Sequence, residues 1–366
     1  MKITLIGPLK PYKGGISMFN TSLLKELEVK HSVQIISWKK RFPSFLYPAG
    51  SQVENNGEAK IKKQPNVFKL VIYNPLTWIS SGLQIRKQKP DKLIFTWITP
   101  YFSPIIFTIA LLNKFKAKCK LIIICHNVLP HESSIIDKPL RWLGFVFMDK
   151  FIVHAKTEKE NLPKWVIIKK EVVTAFMPPF DLYKSITTNK ASEEKVKQHT
   201  INILYFGIVR EYKGLDILIK ALGNMKDNYS FNFKIVGEFW DDIETYKAFI
   251  SAEALQERVQ IVDNYVPDEE VSNYFTWCDF VVLPYKHATQ SAIIQIAKSF
   301  NTPIVSTKTG GIPEEIEDGE NGYLATPSNV KSLQENIIKM IQNPLFPTKE
   351  NFNDHTWKEY IMRILT

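Results

Sequence analysis

The sequence predicts an α/β protein built from two doubly wound parallel sheets. Short, mostly apolar runs alternate with amphipathic stretches along all 366 residues. The runs show little polar alternation, which is typical of parallel strands buried on both faces. Alternating strands and helices imply right-handed crossovers, with helices covering both faces of each sheet. A chain of this length can form two domains that each bury a core.

The predicted strands form two sets, one in each half of the chain. The first set is 3–6, 33–36, 93–95, 121–124, 151–153 and 172–175, and the second is 203–206, 233–236, 259–262, 280–283 and 303–305. One helix is predicted directly after Gly214, where apolar residues recur at helical spacing. They are Leu215, Leu218, Ile219 and Leu222.

A polar, lysine-rich stretch at 181–200 lacks apolar periodicity and is predicted to link the domains. The first domain is therefore placed at 1–185 and the second at 186–356. A second irregular stretch, 43–57, is predicted to be a surface loop of the first domain. Ligands of such sheets bind beyond the carboxyl ends of the strands, so two facing domains would place the site in the cleft between them.

Residues 93–112 carry no charge and are long enough to span a bilayer. Pro100 and Pro104 interrupt the run, and a buried strand, loop and helix would show the same composition, which is the preferred interpretation. Residues 1–8 begin with a strand and show no signal-peptide pattern.

The cysteine content favours a reduced, cytosolic setting. The three cysteines form no CxxC and leave an odd count, unlike a disulfide framework. No spacing among the seven histidines and three cysteines satisfies a structural zinc pattern.

Charge is distributed unevenly along the chain. Residues 1–190 hold 30 Lys and Arg against 12 Asp and Glu, a net of +18, and residues 191–366 hold 17 against 25, a net of −8. This asymmetry favours an anionic partner for the first half, such as a membrane surface, a lipid phosphate or nucleic acid. A solvated basic surface is the alternative. The sequence shows no recognition helix, zinc finger or aromatic RNA-binding signature, so no nucleic-acid partner is expected.

Arg210 and Lys213 follow the strand at 203–206 and are expected in the turn at its carboxyl end. Fixed cations there can stabilise the charge that a diphosphate leaving group gains as its bond to a sugar breaks. The alternative is an exposed charged turn.

The segment 288–292 leads into a helix and is predicted to bind an anion. Thr289 or Ser291 can cap the helix, and the free N–H groups of its first turn attract negative charge. The turn at Gly310 and Gly311 can adopt positive φ and bring backbone close to a ligand. Gly14 and Gly15 form its counterpart after the first strand.

His126 follows the strand at 121–124, close to Asn127, His131 and Glu132. Polar residues at the carboxyl end of a strand are typical of functional sites. The alternative for a single histidine is a structural role.

Taken together, these residues resemble the family 4 glycosyltransferases, which have the GT-B fold of two facing Rossmann-like domains. The resemblance is strongest at 203–327 and spans nearly the whole chain. The motifs that carry it are Phe206-Gly207, Arg210, Lys213-Gly214, 303–305, 310–314, Gly319 and Asn321-Gly322, with 14–16 and the histidines at 126 and 131 resembling acceptor-side motifs. Residues 357–363 resemble the final helix of the family, which crosses back onto the first domain. This resemblance implies that residues 357–366 complete the first domain. The alternative is a tail that packs locally.

The resemblance implies transfer of a sugar from a nucleotide-diphosphate donor with retention, by same-face attack in which the leaving diphosphate helps to deprotonate the acceptor. Arg210 and Lys213 would hold the diphosphate, His126 would lie near the transferred sugar, and no metal would be needed. The other implied contacts are Gly14, Gly15, Gln290 and Ser291 to the diphosphate, and Asn264, Tyr265, Val266, Gly310, Gly311 and Glu314 to the nucleotide and sugar.

One departure from the family pattern concerns its Glu-x7-Glu pair. Those two places fall on Ala288 and Ile296, so both carboxylates are absent. Gln295 neighbours the second place but is expected to point elsewhere, whereas Gln290 and Ser291 could supply the missing sugar contacts. A weakly active or inactive member of the family is therefore an open alternative.

The sequence as a whole favours a cytoplasmic glycosyltransferase, peripheral at the inner face of the membrane, that acts in cell-surface polysaccharide synthesis. Its expected partners are a nucleotide sugar, a glycan or lipid-linked acceptor, and an anionic membrane that contacts the basic first half. A nucleotide-sugar epimerase of the same fold is the alternative. Such an enzyme would turn over donor alone.

Overall fold

The computed structural model describes residues 1–42, 51–54, 56–114, 119–130, 134–186, 200–348, 350–352 and 356–366. The chain folds into two compact units. The first is Met1–Met177 with His355–Thr366, and the second is Pro178–Asp354.

The first unit is a seven-stranded sheet flanked by helices, with strand order β3-β2-β1-β4-β5-β6-β7 and every pairing parallel. Its strands are β1 (Lys2–Ile6), β2 (Ser32–Lys40), β3 (Phe68–Val71), β4 (Lys92–Trp97), β5 (Lys120–Cys125), β6 (Lys150–Val153) and β7 (Glu171–Thr174). Its helices are α1 (Gly15–Glu28), α2 (Gly57–Lys63), α3 (Pro75–Gln88), α4 (Ser103–Lys114), α5 (Asp137–Phe145), α6 (Lys156–Glu160), α7 (Lys164–Lys169) and, at the end of the chain, α13 (Trp357–Leu365).

The second unit is a six-stranded parallel sheet of order β10-β9-β8-β11-β12-β13. Its strands are β8 (Ile201–Phe206), β9 (Phe231–Val236), β10 (Val259–Val262), β11 (Phe280–Leu283), β12 (Ile304–Thr307) and β13 (Gly322–Ala325). Its helices are α8 (Leu215–Gly223), α9 (Ile243–Ala252), α10 (Asp268–Trp277), α11 (Ala292–Phe300) and α12 (Val330–Gln342).

The predicted fold class is confirmed, and each of the eleven predicted strands is present. The helix predicted after Gly214 is α8, whose buried leucines and isoleucines pack into the core of the second sheet. Two strands at sheet edges, β3 and β13, were not predicted. Lys69 interrupts β3, and β13 begins with a glycine, so neither has the uniform apolar run of a central strand.

Two predicted irregular segments are partly ordered. Asp181–Ile186 forms a 3-10 helix that packs against α10 and α11 of the second unit. Residues 187–199 of the predicted linker lie outside the described part. In the predicted surface loop at 43–57, Val53 is buried and bridges to Tyr12 across an antiparallel contact. Residues 43–50 and 55 are not described.

Residues 93–112 do not form a membrane span, in agreement with the preferred interpretation. They contribute most of β4, the short 3-10 helix Pro100–Phe102 and most of α4. Throughout the described ranges, every helix is too short or too polar to cross a bilayer.

Candidate functional site

The candidate residues of the second unit gather at one edge of its sheet. Because the strands are parallel, their carboxyl ends lie together, and loops leaving these ends can build a common site. Each loop follows a different strand: Arg210 and Lys213 follow β8, Asn264 to Val266 follow β10, Gln290 and Ser291 follow β11, and Gly310 and Gly311 follow β12.

The ammonium of Lys213 lies beside the first turn of α11. A Cβ built on Gly207 would lie 3.6 Å from the Lys213 Nζ and 3.4 Å from the Cδ1 of Ile293, so both side chains flank the same glycine. The Nζ also lies 5.8 Å from the centre of the Tyr285 ring. Burial, and then the nearby charge of Arg210, lower the pKa of Lys213 to about 8.

Aromatic rings surround the guanidinium of Arg210. Its Cζ lies 5.5 Å from the ring centre of Trp240 and 6.0 Å from that of Tyr212. The Trp240 loop is held beside the Arg210 loop because the backbone N–H of Trp240 donates to the carbonyl of Val209, at 3.1 Å. Cation–π contacts of this kind restrict a guanidinium without neutralising its charge.

Ser291 is the residue that caps α11, one of the two predicted candidates. Its Oγ accepts from the Ile293 N–H at 3.2 Å and lies 3.0 Å from the Tyr285 hydroxyl. Tyr285 therefore contacts Lys213 through its ring and the helix cap through its oxygen. The positive end of the helix dipole and the Lys213 ammonium both favour an anion at this point.

The Gly310 turn packs against protein backbone. Gly310 has a φ of 53°, and a Cβ there would lie 1.9 Å from the carbonyl oxygen of Ala288. The Gly311 N–H donates to the carbonyl of Thr289 at 2.9 Å. Both glycines therefore contact the loop that precedes α11 and hold it in place. Glu314 follows in the 3-10 helix Ile312–Glu314.

Asn264, Tyr265 and Val266 lie at the end of β10, two strands from β8. Val266 is buried. The loop connects toward β9 because the Phe239 N–H donates to Asp263 Oδ1 at 2.9 Å.

The two positions at which the family pattern has carboxylates, 288 and 296, are packed against protein. Ile296 is buried on α11, and Ala288 lies against Gly310, so neither place offers a polar group to a ligand. The Ser291 hydroxyl is already engaged. The Gln290 Nε2, by contrast, is buried without a hydrogen-bond partner among the described residues. Gln290 therefore has an unused donor next to the helix start.

In the first unit, α1 brings the Gly14–Gly15 turn and His126 into one region. Gly14 precedes the helix with a φ of 103°, which favours glycine, and a Cβ there would meet nothing within 4 Å. Phe19, on the second turn of α1, packs edge-on against the His126 ring with centroids 4.8 Å apart.

His126 is buried and paired with a second histidine. Its ring centre lies 4.9 Å from that of His154, whose Nδ1 lies 3.0 Å from the Ala175 carbonyl. Burial, and then His154, hold the pKa of His126 well below its usual range, and burial lowers the pKa of His154 to about 4. Both imidazoles are therefore neutral near pH 7. His131 and Glu132, named with His126 in the sequence, lie outside the described residues.

The side chains able to ligate a metal are dispersed in the part of the chain that the structure describes. No three His, Cys, Asp or Glu side chains of those ranges lie close enough to hold a metal ion.

Sequence reasoning missed the aromatic residues beneath the two cations and the histidine beside His126. Tyr285 and Trp240 follow the ends of β11 and β9, and His154 follows β6, so all three stand where strand ends place functional groups. That rule, applied to aromatic residues as well as to charged ones, would have identified them.

Comparisons with known proteins show which sequences and folds this chain resembles. Residues 186–358 match the family model described as glycosyl transferases group 1. An uncharacterized glycosyltransferase of Methanocaldococcus jannaschii is 30% identical over 144 residues, covering 38% of each chain. A GDP-mannose:glycolipid 4-beta-D-mannosyltransferase of Xanthomonas campestris pv. campestris is 24% identical over 203 residues, 53% of this chain and 52% of the relative. The chain thus spans about half, or less, of the length of these curated relatives.

Two solved structures resemble the whole chain. A lipopolysaccharide outer core galactosyltransferase, WaaB, has a TM-score of 0.69 at 15% identity and covers 99% of this chain and 98% of its own. HepE of Anabaena, solved with UDP, has a TM-score of 0.69 at 16% identity and covers 100% and 96%. These likenesses establish the fold, which is GT-B. Residues 186–358 are thus similar in sequence to the group 1 glycosyl transferases.

Proposed function

We propose that the chain is a retaining glycosyltransferase of family 4 that moves a sugar from a nucleotide diphosphate to a glycan or lipid-linked acceptor in cell-surface polysaccharide synthesis. The observation that carries this proposal is the ammonium of Lys213 beside the capped start of α11, with the charge of Arg210 near enough to lower the pKa of Lys213. The relatives support it, because one is named as acting on a glycolipid with GDP-mannose and one structural neighbour was solved with UDP.

In the proposed reaction, the diphosphate binds at the start of α11, with its oxygens facing Lys213, Arg210 and the free N–H groups of the first turn. These groups are fixed before reaction and stabilise the charge that grows on the diphosphate as the bond to the sugar breaks. The departing phosphate oxygen accepts the acceptor proton on the same face of the sugar, which retains the anomeric configuration. A metal ion has no assigned part in this scheme.

The remaining candidates keep their expected roles as proposals. Gly14 and Gly15 contact the donor phosphates, and His126 contacts the transferred sugar. Asn264, Tyr265 and Val266 contact the base. The nucleotide and sugar are also contacted by Gly310, Gly311 and Glu314. Gln290 supplies a sugar contact in place of the absent carboxylates, because its buried Nε2 needs a partner.

A panel of nucleotide sugars tests the proposal. We expect one donor and its nucleoside diphosphate to raise the melting temperature, because a ligand that binds only the folded state stabilises it. Sugar release or transfer should then require an acceptor glycan, and the product should keep the anomeric configuration of the donor. Failure of every nucleotide sugar to bind would contradict the proposal, and isomerisation of donor alone would favour the epimerase.

The lowered pKa of Lys213 predicts an alkaline limit to donor capture. Only the protonated ammonium attracts the diphosphate, so kcat/KM for donor should fall as pH rises through about 8, by up to about tenfold per pH unit. The limit should be weaker in kcat, since bound diphosphate stabilises the protonated form. Initial rates over a pH series at low and at saturating donor measure both parameters.

The matched variant is Lys213→Arg. A guanidinium stays protonated throughout this range. The variant should lose activity overall but should also lose the alkaline limb near pH 8. A limb of unchanged position in Lys213→Arg would assign the titration to another group.

A further inference from the structure

Among the described residues, the first unit carries nearly all of the large apolar side chains that are exposed. Sixteen large hydrophobic residues are exposed among the described residues, and fifteen of them belong to the first unit, the exception being Phe346. Many of the fifteen lie on or next to α3, α4 and α5. These helices form one layer, since α3 packs against α4 and α4 packs against α5.

Helix α3 carries a second apolar stripe on its outer face, in addition to the apolar residues Trp78 and Ile85 that pack in the core. Its outward residues Leu76, Ile79 and Leu83 are 74%, 42% and 43% exposed. Its buried residues are Ser81, Gly82 and Ile85. A surface helix normally turns its apolar stripe to the core. The three exposed apolar residues of α3 stand at i, i+3 and i+7, which places them in one stripe on the outside.

The small residues on the inner face of α3 have a packing reason. A Cβ on Gly82 would lie 2.6 Å from Leu112 Cδ1 and 3.5 Å from the Cα of Ile109, so α3 approaches α4 closely at this glycine. The Asn113 amide of α4 completes the contact by donating to the Gly82 carbonyl at 3.1 Å. Contact with α4 therefore does not use the outer leucines and isoleucine, which remain available.

The sequence around α3 and α4 is strongly basic, and the one acidic residue of α5, Asp137, is buried. Residues 59–131 contain twelve Lys or Arg and a single acidic residue, Asp91. Lys87 stands four residues after Leu83 and so continues the exposed stripe, and on α5 the exposed Lys138 stands four residues before the exposed Trp142. Exposed Tyr73 and Tyr101 add amphipathic rings, of the kind enriched where membrane meets water.

We infer that this surface docks the first unit onto an anionic lipid bilayer. The docking face is defined as Leu76, Ile79, Leu83 and Lys87 of α3, Leu111 of α4, and Lys138 and Trp142 of α5. Apolar side chains enter the boundary between headgroups and acyl chains, while the cations meet lipid phosphates. An acidic lipid surface fits both features, because a neutral apolar partner would leave the basic residues without a counterpart. The inference rests on the proposed function in one respect: a lipid-linked acceptor would give the protein a reason to bind a membrane.

Vesicle co-sedimentation tests the docking face without donor or acceptor, so its result is independent of catalysis. We expect the full chain to sediment with vesicles of phosphatidylcholine and phosphatidylglycerol, and weakly with phosphatidylcholine alone. Replacing Leu76, Ile79 and Leu83 together by Ser should reduce binding about tenfold or more. Replacing Lys87 and Lys138 by Gln should reduce it about 30-fold, at roughly fivefold per cation, and added salt should do the same.

Phe346→Ser is the matched control, because it removes an equally exposed apolar side chain, 85% exposed, from the second unit. It should bind vesicles as the parent chain does. Should the triple variant unfold, Leu76→Ser alone, at the first turn of α3, provides the same comparison. Equal binding by the Ser variants and the parent, or equal binding to neutral vesicles, overturns the inference. A parent chain that ignores vesicles but forms dimers lost in the triple variant overturns it in favour of a protein interface.

Discussion

Replacing Arg210 by Ala is expected to lower kcat/KM for donor by about 100-fold or more, by the magnitudes known for lost charge stabilisers. Arg210 contributes a permanent positive charge beside Lys213, and Trp240 and Tyr212 hold that charge in position. Part of the effect should remain at saturating donor, because the charge of the diphosphate grows in the transition state. Steady-state rates with the donor found by the panel measure both parameters.

Arg258 provides a matched control within the same unit. It also lies over an aromatic ring, with its Cζ 5.1 Å from the centre of Phe231, but it precedes β10 and so lies at the amino end of the strands. Arg258→Ala removes a hydrogen bond to the Tyr229 carbonyl and should lower stability while leaving kcat/KM per folded molecule unchanged. Equal losses in the two variants would show that Arg210 acts through stability alone.

The positions of the candidate site residues at strand ends could be predicted, because parallel strands that are buried on both faces appear in the sequence as apolar runs. The cap at Ser291 was also predictable, because a hydroxyl residue directly before an apolar helix can accept a hydrogen bond from the backbone N–H groups of the first turn. Helix capping and strand burial depend on near neighbours in the sequence, so both can be predicted without knowledge of the tertiary structure.

The contacts between loops could not be predicted in this way. The placement of Tyr285 between Lys213 and Ser291 depends on the course of two loops that follow different strands. Similarly, the sequence did not predict that Gly310 approaches the Ala288 carbonyl. Periodicity reports which face of an element is buried, and it does not report which loop a turn meets.

The same limit explains why α3 was not recognised as unusual from its sequence. A helix with Leu76, Ile79 and Leu83 at helical spacing predicts a stripe that faces the core. Only the packing of Gly82 against α4 shows that the stripe faces outward. An apolar stripe therefore predicts a buried surface without saying whether protein or lipid buries it.

Replacing His126 by Ala is expected to lower kcat by about 100-fold and also to destabilise the first unit by about 2–4 kcal/mol. The loss of turnover follows if its neutral imidazole hydrogen-bonds the sugar in the transition state. The loss of stability follows because the buried ring packs between Phe19 and His154, so truncation leaves a cavity. Rates measured well below the melting temperature, together with thermal unfolding, separate the two effects.

Phe19→Leu distinguishes a role in the reaction from a role in packing. It replaces the ring that packs edge-on against His126 by a smaller aliphatic side chain and leaves the imidazole in place. If His126 only fills space, the two variants should fall on one line relating kcat to stability. If it contacts the sugar, His126→Ala should lie far below the line set by Phe19→Leu, and His126→Gln, which restores a polar nitrogen, should recover part of the rate. A single line through all three variants would return His126 to the structural residues of the core.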